Sequence, residues 1–223
     1  MNFQKLIDTI SDAFNIFDFS YIISGGLTLL IILFDLHYRQ IDFLLGNMTI
    51  TVVCGIFLSY ICGIFSWLCG RKIRRIICNI DKDFEETYHY VMSSIGDTRR
   101  TELTPITKYF MEYEYMWICL CKEEKAKPRI NFIHRFWVMQ ALYEGLIFTL
   151  IIAFIVLFDI RIIDKTFLEC FKFIGIFLLI PFLLYLCFKE AKSCARNQIK
   201  EVILSYYLYC YKNNKENKET TIS

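Results

Sequence analysis

The amino-acid sequence predicts an all-α, polytopic membrane protein with four transmembrane helices and a cytoplasmic helical hairpin between the second and third. Of the 223 residues, 56% are apolar and 17% aromatic, whereas an ordinary soluble domain is about 45–50% apolar. The apolar excess is concentrated in four segments. The formal net charge of +2 is too small to indicate direct nucleic-acid binding.

The four apolar segments are each long enough to cross a bilayer core, which takes about 20 helical residues. The strongest candidate is the second segment, residues 43–70, which contains no charge. The first and fourth have uncharged cores at residues 19–34 and 173–188, and Pro181 is compatible with a kinked transmembrane helix. The third, residues 136–158, carries a single charge. Since none shows the polar stripe of a helix in a soluble bundle, the sequence favours a membrane location.

Lysine and arginine predict the orientation, because cytoplasmic loops are enriched in these residues. If both termini are cytoplasmic, 21 of the 25 basic residues lie inside and four outside. Arg71, Lys72, Arg74 and Arg75 directly follow the second span, where positive charge opposes translocation most strongly. We therefore expect a bacterial inner-membrane protein with cytoplasmic N- and C-termini.

Helical periodicity outside the spans predicts the remaining parts. The second span is expected to continue as one helix to Ser94, with Gly96 as its C-terminal cap. A new helix starts at Thr104-Pro105, and another leads from Arg129 into the third span. The predicted parts are 1–16, an amphipathic helix; 17–70, the first transmembrane pair; 71–135, the cytoplasmic hairpin; 136–188, the second pair; 189–211, a cytoplasmic helix; and 212–223, a disordered tail.

A stripe of small residues occupies one face of the second span. Small residues allow close backbone approach, which supplies much of the helix association energy in lipid. The stripe predicts helix packing within one chain, with Ser24, Gly25 and Gly26 of the first span opposite, or oligomerisation between copies. Its members are Gly55, Ser59, Gly63, Ser66 and Gly70.

Two further features are candidate functional sites. Glu144 is the only acid well inside a span, and intramembrane carboxylates mark ion paths or buried pairs; a position near the inner surface, or a neutral carboxyl, is the alternative. The aromatic helices of the hairpin predict a surface for a cytoplasmic partner. That surface is predicted to contain Tyr109, Tyr113, Trp117, Arg99 and Arg100.

The sequence gives little support for a catalytic site or a metal site. Arg129 and His134 match the Arg-x4-His spacing of HEPN-type ribonucleases, but Arg and His at a membrane entry also snorkel towards water. Cys119 and Cys121 have no further pair to complete a zinc site, and the ten cysteines are expected to be reduced, apolar fillers. We therefore predict no catalytic residue, no metal and no cofactor.

The layout resembles the small four-helix membrane subunit of Kiwa-type bacterial anti-phage systems. The resemblance rests on a short first pair of spans entered by residues 19–26, FSYIISGG, and on the basic hairpin before the second pair. It implies an oligomeric inner-membrane protein that detects infection and holds a soluble, DNA-binding effector subunit at the membrane.

These observations predict a non-enzymatic membrane subunit, a sensor or anchor that engages a soluble cytoplasmic partner and forms a homo-oligomer in the bilayer. An oligomeric pore that depolarises the membrane is the alternative. A membrane-tethered HEPN-like ribonuclease is the third hypothesis.

Overall fold

The computed structural model describes residues 16–40, 48–95, 106–163 and 171–211, and the elements in these ranges are helical. Residues 1–15 of the amphipathic helix predicted at 1–16 and the tail at 212–223 lie outside them, as do Gly96, Thr104 and Pro105. The elements are α1 (Ile16–Tyr38), α2 (Met48–Ile77), α3 (Ile80–Ser94), α4 (Ile106–Lys122), a 3-10 turn (Glu124–Ala126), α5 (Lys127–Ile163), α6 (Phe171–Tyr206) and a π-helical turn (Tyr207–Tyr211).

Three stretches are long and apolar enough to cross a membrane: Asp18–Tyr38, Thr51–Ile77 and Glu124–Asp159. They contain the third predicted span, the uncharged core of the first and residues 51–70 of the second, so an all-helical class with three helices suited to cross a membrane is confirmed for the described residues. The fourth span, within α6, stays a prediction.

The chain divides into two compact units. The first, which we call the span unit, comprises Met1–Ile77 and Val138–Ala191. The second, which we call the aromatic unit, comprises Cys78–Trp137 and Lys192–Ser223.

The helix that follows the second span is interrupted, contrary to the prediction of one continuous helix to Ser94. α2 ends at Ile77 and α3 begins at Ile80. The Asn79 side chain accepts a hydrogen bond from the Lys82 backbone N–H at 3.1 Å and so caps the new helix. Asp81 and Asp83 lie in the first turn, where negative charge stabilises a helix. The apolar spacing across the break is helical, which explains why the cap was missed.

The aromatic unit has a core of its own. The Phe84 and Phe110 rings are stacked with centroids 4.3 Å apart, and the Tyr88 hydroxyl donates to the Glu112 carboxylate at 2.8 Å. The fully or nearly fully buried apolar residues are Phe84, Tyr88, Val91, Met92, Tyr109, Met116, Leu120, Ala126, Ile133, Ile199, Val202 and Ile203. They come from α3, α4, α5, α6 and the turn before α5.

Candidate functional site: a buried polar cluster in the span unit

The charge of Glu144 is paired inside the span unit. The Arg74 Nη2 lies 2.7 Å from the Glu144 Oε1, and the two side chains are 5% and 1% exposed. The Gln140 amide donates to the same oxygen at 2.9 Å, and the Trp67 indole N–H donates to Oε2 at 3.0 Å. Both carboxylate oxygens therefore have hydrogen-bond donors, and the two buried charges neutralise each other.

The close approach of α2 to α5 positions this pair. A Cβ built on Gly70 would lie 1.7 Å from the Glu144 carbonyl oxygen, so only glycine permits the two backbones to meet here. Arg74 follows Gly70 by one helical turn, and Gln140 precedes Glu144 by one turn. Each therefore lies on the face of its helix that the contact already occupies.

A group of hydroxyls ties α1 to α2 and α5. The Thr28 Oγ1 lies 2.7 Å from the Thr149 Oγ1 and 3.1 Å from the Ser66 Oγ. Thr149 also approaches the Ser24 carbonyl oxygen at 3.2 Å, and Ser24 donates to the Ser20 carbonyl at 3.0 Å. These buried hydroxyls therefore have partners inside the chain, whereas the buried Arg74 Nε has no hydrogen-bond partner within the described residues.

The predicted stripe on α2 is used mainly within the chain. A Cβ on Gly63 would lie 1.9 Å from the Tyr21 carbonyl oxygen, and one on Gly25 would lie 1.8 Å from the Ser59 carbonyl oxygen. Ser66 belongs to the hydroxyl group, and Gly70 meets Glu144. Gly55 differs, since nothing lies within 4 Å of its built Cβ. The intrachain alternative therefore accounts for four of the five stripe residues.

A second ionic link connects Arg39, directly after the C-terminal end of α1, with Asp159 of α5. The Arg39 Nε donates to both Asp35 carboxylate oxygens at 3.1 Å, and the Arg39 Nη2 pairs with Asp159. These side chains are partly exposed. Screening by water makes this link weaker than the Arg74–Glu144 pair.

Of the aromatic residues in the predicted partner surface, one lies in the core of the aromatic unit and two pack against that core. Tyr109 is only 2% exposed. Tyr113 packs against the core and accepts a hydrogen bond from Gln198 at 2.9 Å; burial raises the Tyr113 pKa to about 12. Trp117 lies against Trp137, with ring centroids 4.8 Å apart. Arg99 and Arg100 lie outside the described residues.

The exposed apolar side of α4 is a different set of residues. Met111, Tyr115 and Ile118 are 70%, 61% and 52% exposed, and their spacing places them on one face of the helix. Leu208, in the π-helical turn that contacts α4, is also exposed. We call these four exposed residues the α4 face; among them, the Tyr115 ring contacts the Tyr206 ring, with centroids 6.4 Å apart.

Arg129 and His134 have separate environments. Arg129 pairs with Glu201, Nη2 to Oε2 at 2.5 Å, and lies over the Phe132 ring at 5.2 Å. The His134 ring contacts the rings of Trp117 and Trp137 at 5.7 and 5.3 Å. Arg129 and His134 therefore have different contact partners, and the ribonuclease hypothesis stays a prediction.

The polar contacts of the cluster hold α1, α2 and α5 together. Sequence analysis identified Glu144 but not its partners. The signal for Arg74 was present in the sequence, because Gly63, Ser66, Gly70 and Arg74 are spaced by three, four and four residues and share one helix face.

Within the described ranges, no group of three His, Cys, Asp or Glu side chains could hold a metal ion. The comparisons with known proteins found no matching family model, curated protein or solved structure.

Proposed function

We propose that this protein is a non-enzymatic integral membrane subunit that anchors or senses at a bacterial inner membrane and engages a soluble cytoplasmic partner. The observation that carries the proposal is the exposed α4 face, which lies on a unit that has its own buried core. An exposed apolar surface of this kind is typical of a protein-interaction site. The partner surface is thus Met111, Tyr115, Ile118 and Leu208 rather than Tyr109, Tyr113 and Trp117.

The proposal includes four spans, with both termini in the cytoplasm. For the fourth span, support comes from α6, where four large apolar or aromatic side chains are exposed: Leu178, Leu179, Phe182 and Tyr185. Side chains of this type suit contact with acyl chains. Orientation rests on the lysine and arginine distribution.

The polar interior supports an anchor over a pore within one chain. The hydroxyls and the Arg74–Glu144 pair bond to groups of the same chain, and glycine contacts bring α2 against both α1 and α5. A pore would have to form between copies, as in the alternative hypothesis. A homo-oligomer remains part of the proposal, with the α4 face and Gly55 as surfaces that intrachain packing leaves open.

Photocrosslinking tests the partner surface. A photoreactive amino acid at Met111 or Ile118, in cells of the native host, should yield a crosslinked species larger than the chain, which mass spectrometry identifies. The matched control is Lys82, which is exposed on α3 of the same unit. Crosslinks from Lys82 equal to those from Met111, or none from the α4 face, would contradict the proposal.

A voltage-sensitive dye tests the alternative hypothesis of a pore. Loss of membrane potential on expression would favour the pore.

Cysteine labelling tests the orientation, and burial decides which cysteines report it. Cys194 is buried, and Cys78, Cys119 and Cys210 are partly buried, so their protection would not distinguish the two sides of a membrane. Cys121 is exposed. A variant that retains only Cys121 should resist an impermeant maleimide in intact cells and react after permeabilisation. Burial nevertheless raises the Cys121 pKa, so the labelling belongs at mildly alkaline pH.

A further inference from the structure

The last turns of α2 carry three exposed cations on one side of the helix. At about 100° per residue, Arg71, Lys72 and Arg75 fall within an arc of about 100°. All three are exposed, and none forms an ion pair within the described ranges. Arg74 points to the opposite, buried side, where Glu144 neutralises it. Arg74 is therefore paired inside the protein, whereas Arg71, Lys72 and Arg75 face outwards.

The same side of α2 is apolar through the rest of its length. Val53, Phe57, Ile61 and Leu68 are exposed, and on the helical wheel they fall within the arc that contains the three cations. Gly63 and Gly70 lie on the opposite side, against α1 and α5. One continuous face therefore runs from a stripe suited to acyl chains into a cluster suited to anions.

Trp67 marks the depth at which this change occurs. The Arg71 guanidinium lies over the Trp67 ring, 5.5 Å from its centroid. Tryptophan is enriched at the level of lipid headgroups, and the cation–π contact holds Arg71 beside the ring. A lipid whose chains lie along the apolar stripe would therefore place its phosphate next to Arg71, Lys72 and Arg75.

We propose that Arg71, Lys72 and Arg75, with the exposed apolar face of α2, form a binding site for an anionic phospholipid. Charge complementarity selects an anionic over a zwitterionic headgroup, since each basic residue near an anionic membrane surface adds about fivefold to the attraction. The adjoining apolar stripe selects a lipid over a soluble anion. The site depends only on α2 crossing the bilayer, and not on the proposed cytoplasmic partner.

Native mass spectrometry of the full chain tests the site. The protein is ejected from nanodiscs that contain equal amounts of phosphatidylglycerol and phosphatidylcholine with identical acyl chains. The wild type should retain phosphatidylglycerol preferentially. Replacement of all three cations, Arg71→Gln with Lys72→Gln and Arg75→Gln, should lower the ratio of retained phosphatidylglycerol to phosphatidylcholine by about fivefold or more.

The control removes the same charge elsewhere, by Lys82→Gln with Lys122→Gln and Lys200→Gln, which are exposed and lie outside the three membrane-length stretches, and should leave the ratio unchanged. An equal fall in both variants would mean attraction by net charge alone, and an unchanged ratio in the first variant would place the lipid elsewhere; either outcome overturns the proposal. A charge-conserving variant, Arg71→Lys with Arg75→Lys, should keep the preference. If the triple variant does not fold, the wild-type protein still tests the proposal. Its preference for phosphatidylglycerol should fall when the nanodiscs are formed at increasing salt concentration. A salt-independent preference would overturn the proposal.

Discussion

The two units of the molecule hold their helices together by different means. In the span unit, the close contacts are backbone against backbone at Gly25, Gly63 and Gly70, and the specific bonds are hydroxyl pairs and one buried ion pair. In the aromatic unit, large apolar and aromatic side chains fill a core. Lipid provides no hydrophobic force between helices, so close approach and polar bonds must supply their association. Burial of large apolar side chains, as in the core of the aromatic unit, is the means by which helices associate in water.

Separation of the buried ion pair should have the largest effect. Arg74→Ala leaves the Glu144 carboxylate buried without its counter-charge, which costs about 3–5 kcal/mol. The apparent melting temperature in detergent, at a fixed scan rate, should therefore drop steeply. The double variant Arg74→Met with Glu144→Gln removes both charges and keeps an acceptor for Trp67 and Gln140, so it should regain most of the stability. A double variant no better than Arg74→Ala would show that the charges themselves are required.

Truncation of the aromatic core gives the matching experiment in the other unit. Leu120 is completely buried, and Leu120→Ala should cost about 2–5 kcal/mol through lost apolar burial and a cavity. Ile118, two residues earlier, is exposed on the α4 face, so Ile118→Ala should lie within about 0.5 kcal/mol of the wild type. Chemical denaturation followed by tryptophan fluorescence compares the two. Equal losses would mean that the α4 face is covered in the folded protein.

A bulky residue at the helix contact separates intrachain packing from oligomerisation. Gly63→Leu forces a side chain against the Tyr21 backbone, at a cost of about 1–3 kcal/mol. We expect lower expression and a lower melting temperature without a stable monomer. Gly55→Leu, where the built Cβ meets nothing within 4 Å, is the matched control and should retain wild-type stability. A clean shift from oligomer to monomer in Gly63→Leu, at unchanged melting temperature, would instead assign the stripe to contacts between copies.

Tyr113, which packs against the core of the aromatic unit, should make the stability of that unit sensitive to alkaline pH. Burial raises the Tyr113 pKa to about 12, from about 10 for an ordinary tyrosine, so the unfolded state loses its proton first as the pH rises. Stability is therefore lost between pH 10 and 12, by about 1.4 kcal/mol at pH 11. Tyr113→Phe forfeits the Gln198 hydrogen bond at neutral pH but should lose less stability from pH 9 to 11. Parallel curves for both proteins would contradict this assignment.

The sequence predicted the parts of the fold that depend on composition and missed those that depend on single polar contacts. Apolar length predicted the three helices that are long and apolar enough to cross a membrane. Asn79 was overlooked because the isoleucines around it keep helical spacing across the cap. Tyr109, Tyr113, Met116 and Leu120 share a helical face, and periodicity shows that such a face is buried without showing against what; here it faces the unit's own core. The sequence singles out Glu144 as an acid within an apolar segment. Only the packing of α2 against α5 shows that Arg74 pairs with it.

The smallest expected effect concerns Arg129 and His134. Arg129 pairs with Glu201 while its own side chain is 44% exposed, so Arg129→Lys should change stability by less than about 1 kcal/mol. His134 contacts two tryptophan rings, and His134→Phe would preserve these contacts while removing any acid–base chemistry. If the protein is an anchor, both variants should keep normal membrane abundance and the crosslinks from Met111, and RNA incubated with the purified variants and wild type should remain equally intact. RNA cleavage by the wild type that both substitutions abolish, at unchanged abundance, would restore the ribonuclease hypothesis, because two residues with separate structural contacts would share one activity only through a common reaction.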